Sequence, residues 1–576
     1  MVDYSTSDTL QRRRSELRQA VFDCRTRKLS EASKWASLQL QGMKKPEVSD
    51  LPANRSFSST MEQRVDLSDA YDVAISYFDS REYRSAMLVL EPLVTALEDC
   101  PNEIKFLYYY SHYLKVQRFK AHKKAKPGML VGNLMLAESD LTQIRTNLEK
   151  QVERLDGFLL YILGLVLIDQ DHMEKAREVL VRSVELYPCN WSAWKALGTA
   201  CPDQHTAGSL ALPDHFMAKF FRAHVLVEFH QPEQSMEILQ ELDGDFPESM
   251  ATIATTAMAH NHMHDYEMAQ ELFEKLLEKN PNIIDYMDVY SNILYVKEDS
   301  MSLMLLARRL ADEDPYRPET CCVIGNYYSF RGQHDKAVIY FQRALKINQN
   351  YLPAWTLMGH EFVELKNPPA AIEAYRKAVA INPSDYRAWY GLGQTYELVN
   401  MPYYAIHYYS KAVALRPKDA RMWNAIGHCY GSNAVSQIES AIRCFERALP
   451  YDKECVALRQ LAYHHKTLGE TNKQHYDQAA KYYQMIWEQS QEQGETPRSD
   501  ATEALNFLAE YHKSSGDLHT SHEYFTKLLD FGHLEHREGA KASLRELQDM
   551  LGMGSALSPS QSPRDMVHSP GGSAPR

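Results

Sequence analysis

A register that recurs every 34 residues governs what this chain folds into. Trp355, Trp389 and Trp423 stand 34 residues apart, and the same phase read backwards falls on Cys321, Met287, Ile253 and Lys219. The Trp389 unit continues with Leu392, Gly393 and Tyr396, then Ala405, Tyr409, Ala412 and Pro417. The Trp355 unit keeps that order as Met358, Gly359, Phe362, Ala371, Tyr375, Ala378 and Pro383, and the Trp423 unit keeps its glycine at Gly427. Pro247, Pro281, Pro315, Pro383 and Pro417 share one phase. A fixed period of this length marks an array of identical supersecondary units rather than separate domains.

The spacing has a physical cause. Trp389, Leu392, Gly393 and Tyr396 lie at i, i+3, i+4 and i+7, one face of a helix, and Ala405, Tyr409 and Ala412 lie on one face of a second. Gly393 and Ala405 are small because the two helices touch there. The closing proline ends the second helix, having no N–H to donate and no room for the preceding turn. Each hairpin leaves an apolar side that only the next one covers, so the units stack. This is the tetratricopeptide pattern. It predicts an all-α fold, a tetratricopeptide-repeat superhelix (α-solenoid) of about fourteen helical hairpins. Its repeat core includes Trp355, Gly359, Trp389, Gly393, Ala405, Trp423 and Gly427.

Weaker copies extend the array both ways: Ala20 with Ala32 and Ala36, Ala74 with Ala86 and Leu90, Gly164 with Ala176 and Leu180, Ala462 with Ala479 and Tyr483, and Ala509 with Ser521 and Phe525. The interruptions set the expected organisation. Residues 1–43 form an N-terminal hairpin and 44–67 a polar linker. Residues 68–200 form an N-terminal array carrying a basic insertion at 118–135. Residues 201–215 break the register with a lost or irregular helix, and 216–550 form a C-terminal superhelix with a peptide groove. Residues 551–576, rich in Ser, Pro and Gly, are expected to be disordered.

Composition agrees with this reading. Only 24 glycines and 25 prolines occur in 576 residues, well under the roughly 12% usual in soluble proteins. A net charge of −13 argues against nucleic acid as the main partner, since phosphate binding needs a basic face. Nine scattered cysteines without a CxxC pair read as buried thiols of a reducing compartment. The longest apolar run, 157–168, is too short to span a bilayer. No signal peptide is visible, so a soluble, intracellular protein is expected.

No segment is left over for catalysis: there is no Gly-rich phosphate loop, GxSxG or HExxH. No cofactor and no metal are expected. His260, His262 and His264 alternate along the end of a helix and its turn, pointing in different directions, and His464-His465 is read in the same way, as solvated. The cluster Arg118, Lys120, Lys123, Lys124 and Lys126 reads as a solvated insertion, with a nuclear-import signal or a contact for an anion as the functional alternatives. Ser558, Ser562 and Ser569 each precede a proline in the tail and are candidate phosphorylation sites.

One face of each first helix remains for binding. Offsets of −2, +1, +5 and +8 from the tryptophan phase place Asp285, Asp288, Asn292 and Tyr295 in one unit, and Glu319, Cys322, Asn326 and Ser329 in the next. Later units supply Thr356, His360 and Val363, then Arg387, Tyr390, Gln394 and Glu397. Amides to hold a peptide backbone and carboxylates to hold a basic side chain suit an extended basic peptide. The face lacks the Lys/Asn arrangement that clamps a C-terminal carboxylate.

Residues 319–337 read ETCCVIGNYYSFRGQHDKA, and the stretch continues to Asn424 through Trp355, Gly359, Trp389, Gly393 and Trp423. This stretch closely resembles the subunit eight family of the anaphase-promoting complex, or cyclosome (the cell division cycle protein 23 family). Ser33-Lys34-Trp35-Ala36, the run 106–111, Leu155-Asp156-Gly157-Phe158 and Asp314-Pro315-Tyr316-Arg317 extend the resemblance over nearly the whole chain. The resemblance implies a non-catalytic scaffold of a multi-subunit RING-type E3 ubiquitin ligase of mitosis, in nucleus and cytoplasm. It implies homodimerisation through the N-terminal repeats, contacts with other subunits, and a C-terminal groove that receives the coactivator's N-terminal C-box peptide. A co-chaperone or transport adaptor built from the same repeats is the alternative.

Overall fold

The ring of Tyr409, in the helix Pro402–Leu415, lies on Gly393 in the helix Tyr386–Leu398, where any β-carbon would collide with it. Ala405 and Ala412 are fully buried alongside. The same spacing sets Phe341 on Gly325 and Leu180 on Gly164. Where serine replaces alanine on the second helix, at Ser235 and Ser521, its hydroxyl donates to the carbonyl of Ala223 (2.9 Å) or Ala509 (2.8 Å) on the first helix. The polar atom is thereby satisfied inside the contact.

The turns repeat as well. His230, His264, Glu298, Gly332, Lys366 and Asn400 all adopt left-handed backbone, with φ between 55° and 68°. Beyond several of these, the next residue donates back to the first helix: Asp265 to His260 O, Gln333 to Tyr328 O, Asn367 to Phe362 O and Met401 to Tyr396 O, at 2.9–3.0 Å. This is the Schellman closure, which satisfies carbonyls left open at the helix end. Trp355, Trp389 and Trp423, expected in the core, are instead half-buried. Each indole N–H donates to the carbonyl six residues earlier, of Gln349, Pro383 and Pro417, at 2.8–2.9 Å. The ring's N–H requires a partner, and the preceding loop supplies it.

The computed structural model describes residues 4–43, 65–96, 100–125, 132–432, 434–452, 455–469, 472–492, 499–531 and 534–550. Among these residues are 29 α-helices and no strand. No described helix is long and apolar enough to cross a membrane. The linker up to residue 64, Lys126 and the tail with Ser558, Ser562 and Ser569 lie outside the described residues. The chain divides into two compact units, Met1–Glu361 and Phe362–Arg576.

In the first unit the N-terminal hairpin, Tyr4–Thr26 and Ser30–Gly42, packs against hairpins far along the chain. Trp35 stacks on Trp191 and meets Phe220 edge-on. Arg13 pairs with Asp245, Glu31 with Lys195, and Lys34 with Asp285 at 2.6 Å. Tyr187 donates to Asp23 at 2.8 Å. Between the helices Trp191–Thr199 and Phe216–Glu228 lies a single five-residue helix, Gln204–Gly208. The chain does not divide at this break, however. Trp194 packs on Phe221 across it, and the hairpin bridges both sides through Trp35.

The basic insertion begins differently from expectation. The helix Asn102–Ala125 runs through Arg118 and Lys120, with Lys120 paired to Asp169 (3.1 Å) and Arg118 donating to the Arg81 carbonyl (2.9 Å). Its start is helical and docked because these cations find partners on neighbouring hairpins.

The second unit carries the hairpins from Pro368–Ile381 onward. Its core continues through Tyr375, Tyr409, Phe445, Tyr483 and Phe525, all buried.

Candidate functional site

In the first unit, the helices Met287–Val296 and Pro318–Phe330 and the start of Leu352–Glu364 are the first helices of successive hairpins. Their repeat phase places polar residues in line. Asn326, 3% exposed, donates from its amide nitrogen to Ser291 Oγ at 2.8 Å and to Asn292 Oδ1 at 2.7 Å. One turn further on, Ser329 donates to Glu361 Oε1 at 2.7 Å, and His334 Nδ1 lies 2.8 Å from Glu361 Oε2. The Tyr295 hydroxyl stands 3.5 Å from Ser329. Asp288, 8% exposed, accepts from the Tyr351 hydroxyl at 2.7 Å.

The residues expected to stand open are therefore largely engaged within the chain. Asp285 holds Lys34 and Arg317, and Arg317 reaches Glu319 at 3.0 Å. Asp288 and Asn326 are buried because their helix positions turn toward the neighbouring first helix. Tyr295 stays exposed, and His360 is exposed as well. Glu361 was not anticipated, since it falls one position beyond the +5 offset. Its only sequence signal is a lone acid inside the small and apolar run Met358, Gly359, Phe362.

Among the described residues, neither Asp288 nor Glu361 has a guanidinium or ammonium partner. Burial pushes the Asp288 carboxyl above its ordinary range, against the pull of the Tyr351 hydroxyl. Burial and the Asp288 charge together push Tyr351 far above its own. Asp285 behaves oppositely. Burial raises it, but Lys34 and Arg317 more than offset this and hold it below the carboxylate range.

In the second unit Glu397 accepts the Tyr409 hydroxyl at 2.7 Å, and the ring of Tyr390 lies 5.3 Å from that of Tyr409. Gln394 is half-buried. Arg387 is held by Asp385, the cap of its own helix, at 3.0 Å. Gly359, Gly393, Ala405 and Gly427 are all buried.

The histidine runs separate. His260 turns to Asp265 (3.1 Å), His262 meets His230 (2.8 Å), and His264 occupies the left-handed turn. His464 and His465 are not solvated: both are buried in the helix Val456–Gly469, with His465 Nδ1 3.0 Å from His475 Nδ1. They sit next to the small Ala462 of the repeat core, on the side that packs inward. Glu16, Cys189 and His215 bring three potential ligand atoms within 4.8 Å. His215 Nδ1, however, accepts the Met217 N–H as a helix cap, so its proton lies on Nε2, 3.1 Å from Glu16. Both ring nitrogens are then occupied, and burial pushes the Cys189 thiol up to about 12. This arrangement is a cap rather than a cation site.

Comparison with known proteins gives a consistent result. A family model described as anaphase promoting complex subunit 8 / Cdc23 matches residues 12–257. Tetratricopeptide-repeat models match 318–351, 359–399 and 386–419. Anaphase-promoting complex subunit 8 of Arabidopsis thaliana is 42% identical over 575 residues, covering 93% of this chain and 96% of that protein. The Dictyostelium discoideum subunit 8 is 49% identical, covering 70% of this chain and 67% of that one. Among solved structures, a chain of the APC/C hetero-tetramer Cut9–Hcn1 aligns over 92% of this chain and 96% of its own, with a TM-score of 0.55 at 15% identity. The last likeness is one of fold, a tetratricopeptide-repeat array.

Proposed function

The chain belongs to the anaphase-promoting complex subunit 8/Cdc23 family, and on that premise we propose that it is a non-catalytic scaffold subunit of the anaphase-promoting complex, a RING-type E3 ubiquitin ligase. It homodimerises through its N-terminal repeats, contacts the other subunits, and works in nucleus and cytoplasm. Through the first helices of its later repeats it binds the coactivator's N-terminal C-box, a short basic peptide.

One observation carries the peptide reading. Asp288 and Glu361 are buried carboxylates whose partners are a tyrosine, a serine and a histidine. A buried carboxylate without a lysine or arginine beside it is costly to ionise, and a basic side chain arriving there would lower that cost. Asn326 and Asn292 alongside supply amides to hold a peptide backbone. The tested outcome is plain. Full-length chain tagged in dividing cells should bring down the ligase subunits and coactivator in comparable amounts. Recovery of heat-shock proteins alone would overturn the assignment.

A further inference from the structure

His230 and His262 belong to successive hairpins of the first unit and meet through their Nδ1 atoms, 2.8 Å apart. His230 stands in the turn between the helices Phe216–Glu228 and Pro232–Asp245, and His262 is the last residue of Met250–His262. Both backbones are fixed. His230 holds left-handed backbone at φ 56°, and Gln231 closes its turn onto Leu226 O at 2.8 Å. Met263 and Asp265 close the turn after His262 onto Ala259 O and His260 O. The neighbours of His262 in its own run turn elsewhere, His260 to Asp265 at 3.1 Å and His264 to the Tyr266 hydroxyl at 2.9 Å. Alternation along a helix argues against an ion shared within that run, but the partner of His262 is delivered by the preceding hairpin.

The spacing suits a metal ion as well as a shared proton. At a metal–nitrogen distance of about 2.0–2.1 Å, two ligands at a right angle stand about 2.9 Å apart, and two at the tetrahedral angle about 3.3 Å. The observed 2.8 Å matches the right angle. The ring centroids lie 4.8 Å apart, well beyond the nitrogens, so the two Nδ1 corners face one another. Both rings are half-buried at the hairpin ends, where water reaches them. The pair His465 and His475, 3.0 Å apart, is the contrast. His465 is 2% exposed with the Tyr482 ring packed on it, so water cannot complete a coordination shell there.

We propose that His230 and His262 form a binding site for a divalent transition-metal ion of octahedral or square-planar preference, such as nickel(II) or copper(II). The ion takes the two Nδ1 atoms in adjacent positions, and water fills the others. The ring that donates in the metal-free pair moves its proton from Nδ1 to Nε2 through solvent, so both imidazoles stay neutral. The ion clips two successive hairpins together beside the 201–215 break. The helix Gln204–Gly208 of that break touches the same turn, Gln204 Nε2 donating to Gln231 Oε1 at 3.1 Å. The site shares no residue with the peptide reading and stands independently of it.

The test uses the full chain, freed of metal with a chelator, and nickel(II) chloride. Isothermal titration near neutral pH should resolve one equivalent bound at least about tenfold more tightly than the remaining histidines bind theirs. That equivalent should raise the thermal midpoint, since the ion binds only the folded chain. His230→Asn, a residue suited to left-handed backbone, and His262→Gln should each remove the tight equivalent and the rise. His264→Asn, in the same run, should keep both. Acidification should release the ion as the imidazoles protonate. Absence of a tight equivalent on the unaltered protein would overturn the proposal, whatever the variants do. Its persistence in His230→Asn would overturn it as well.

Discussion

The indole of Trp35 lies flat on that of Trp191, ring centroids 4.7 Å apart and planes 13° from parallel. Around this stack the N-terminal hairpin reaches helices that begin far downstream, with Lys34 on Asp285 as its most distant contact. In a repeat array most contacts join sequence neighbours, so stability is a sum of local terms. The hairpin adds a long-range term that couples repeats on both sides of the 201–215 break.

Truncating that stack should therefore loosen more than one hairpin. Trp35→Ala is expected to cost about 3–5 kcal/mol, the usual range for a buried aromatic, and Trp35→Phe much less. Limited proteolysis is the direct measurement, with new cleavage expected near 201–215 in Trp35→Ala alone. Cleavage confined to residues 1–43 would mean the hairpin is an appendage without influence on the break.

Gly393 offers a local test of the repeat register. A β-carbon there meets the Tyr409 ring, and that ring is itself held by Glu397. Gly393→Leu should overpack the contact and cost about 1–3 kcal/mol. Gly208, whose added β-carbon meets nothing within 4 Å, is the control. Its alanine variant should melt as the parent does.

These two sites mark how much was legible in the sequence. Gly393 and Tyr409 sit in one hairpin, and helix periodicity alone brings them together. The family was legible in the same way, from strings such as 319–337. The partner of Trp35 was not, because nothing local to residue 35 encodes a contact with residue 191. Glu361 and His465 escaped for a related reason. Polar residues on an inward face look, in a single sequence, like residues on a solvated one. The offsets named residues on successive first helices, but which side of each helix is buried depends on how far those helices approach.

His465 makes stability depend on pH. Burial first, then the neighbouring His475 and His464, lower its pKa to about 4, against about 6.5 when unfolded. The Tyr482 ring also packs on it, 5.5 Å away. Above pH 6.5 the ring is neutral in both states. Between 6.5 and 4 the unfolded chain takes up a proton that the folded chain resists, so stability falls as pH falls. Thermal midpoints of the parent should drop over that window, and those of His465→Gln should drop less. Parallel curves for the two proteins would rule His465 out as a contributor.

The buried carboxylates lead to the last prediction. Glu361→Gln removes the charge but keeps the shape. Its amide oxygen still accepts from Ser329, while its nitrogen faces His334 Nδ1, and the imidazole restores the bond by exchanging tautomer. Folding should change by no more than about 1 kcal/mol. Affinity for a coactivator N-terminal peptide should fall about tenfold, as expected when a charge-assisted contact is lost. Asn326→Ala should lower it as well, by releasing Asn292 and Ser291 from their shared donor. Glu397→Lys, in the second unit, tests that unit by itself. It should weaken the peptide while leaving the chain's sedimentation unchanged. Anisotropy titrations of one labelled peptide against the three full-length variants measure all of this. Parent-like affinity in Glu361→Gln would show that the carboxylate serves only Ser329 and His334.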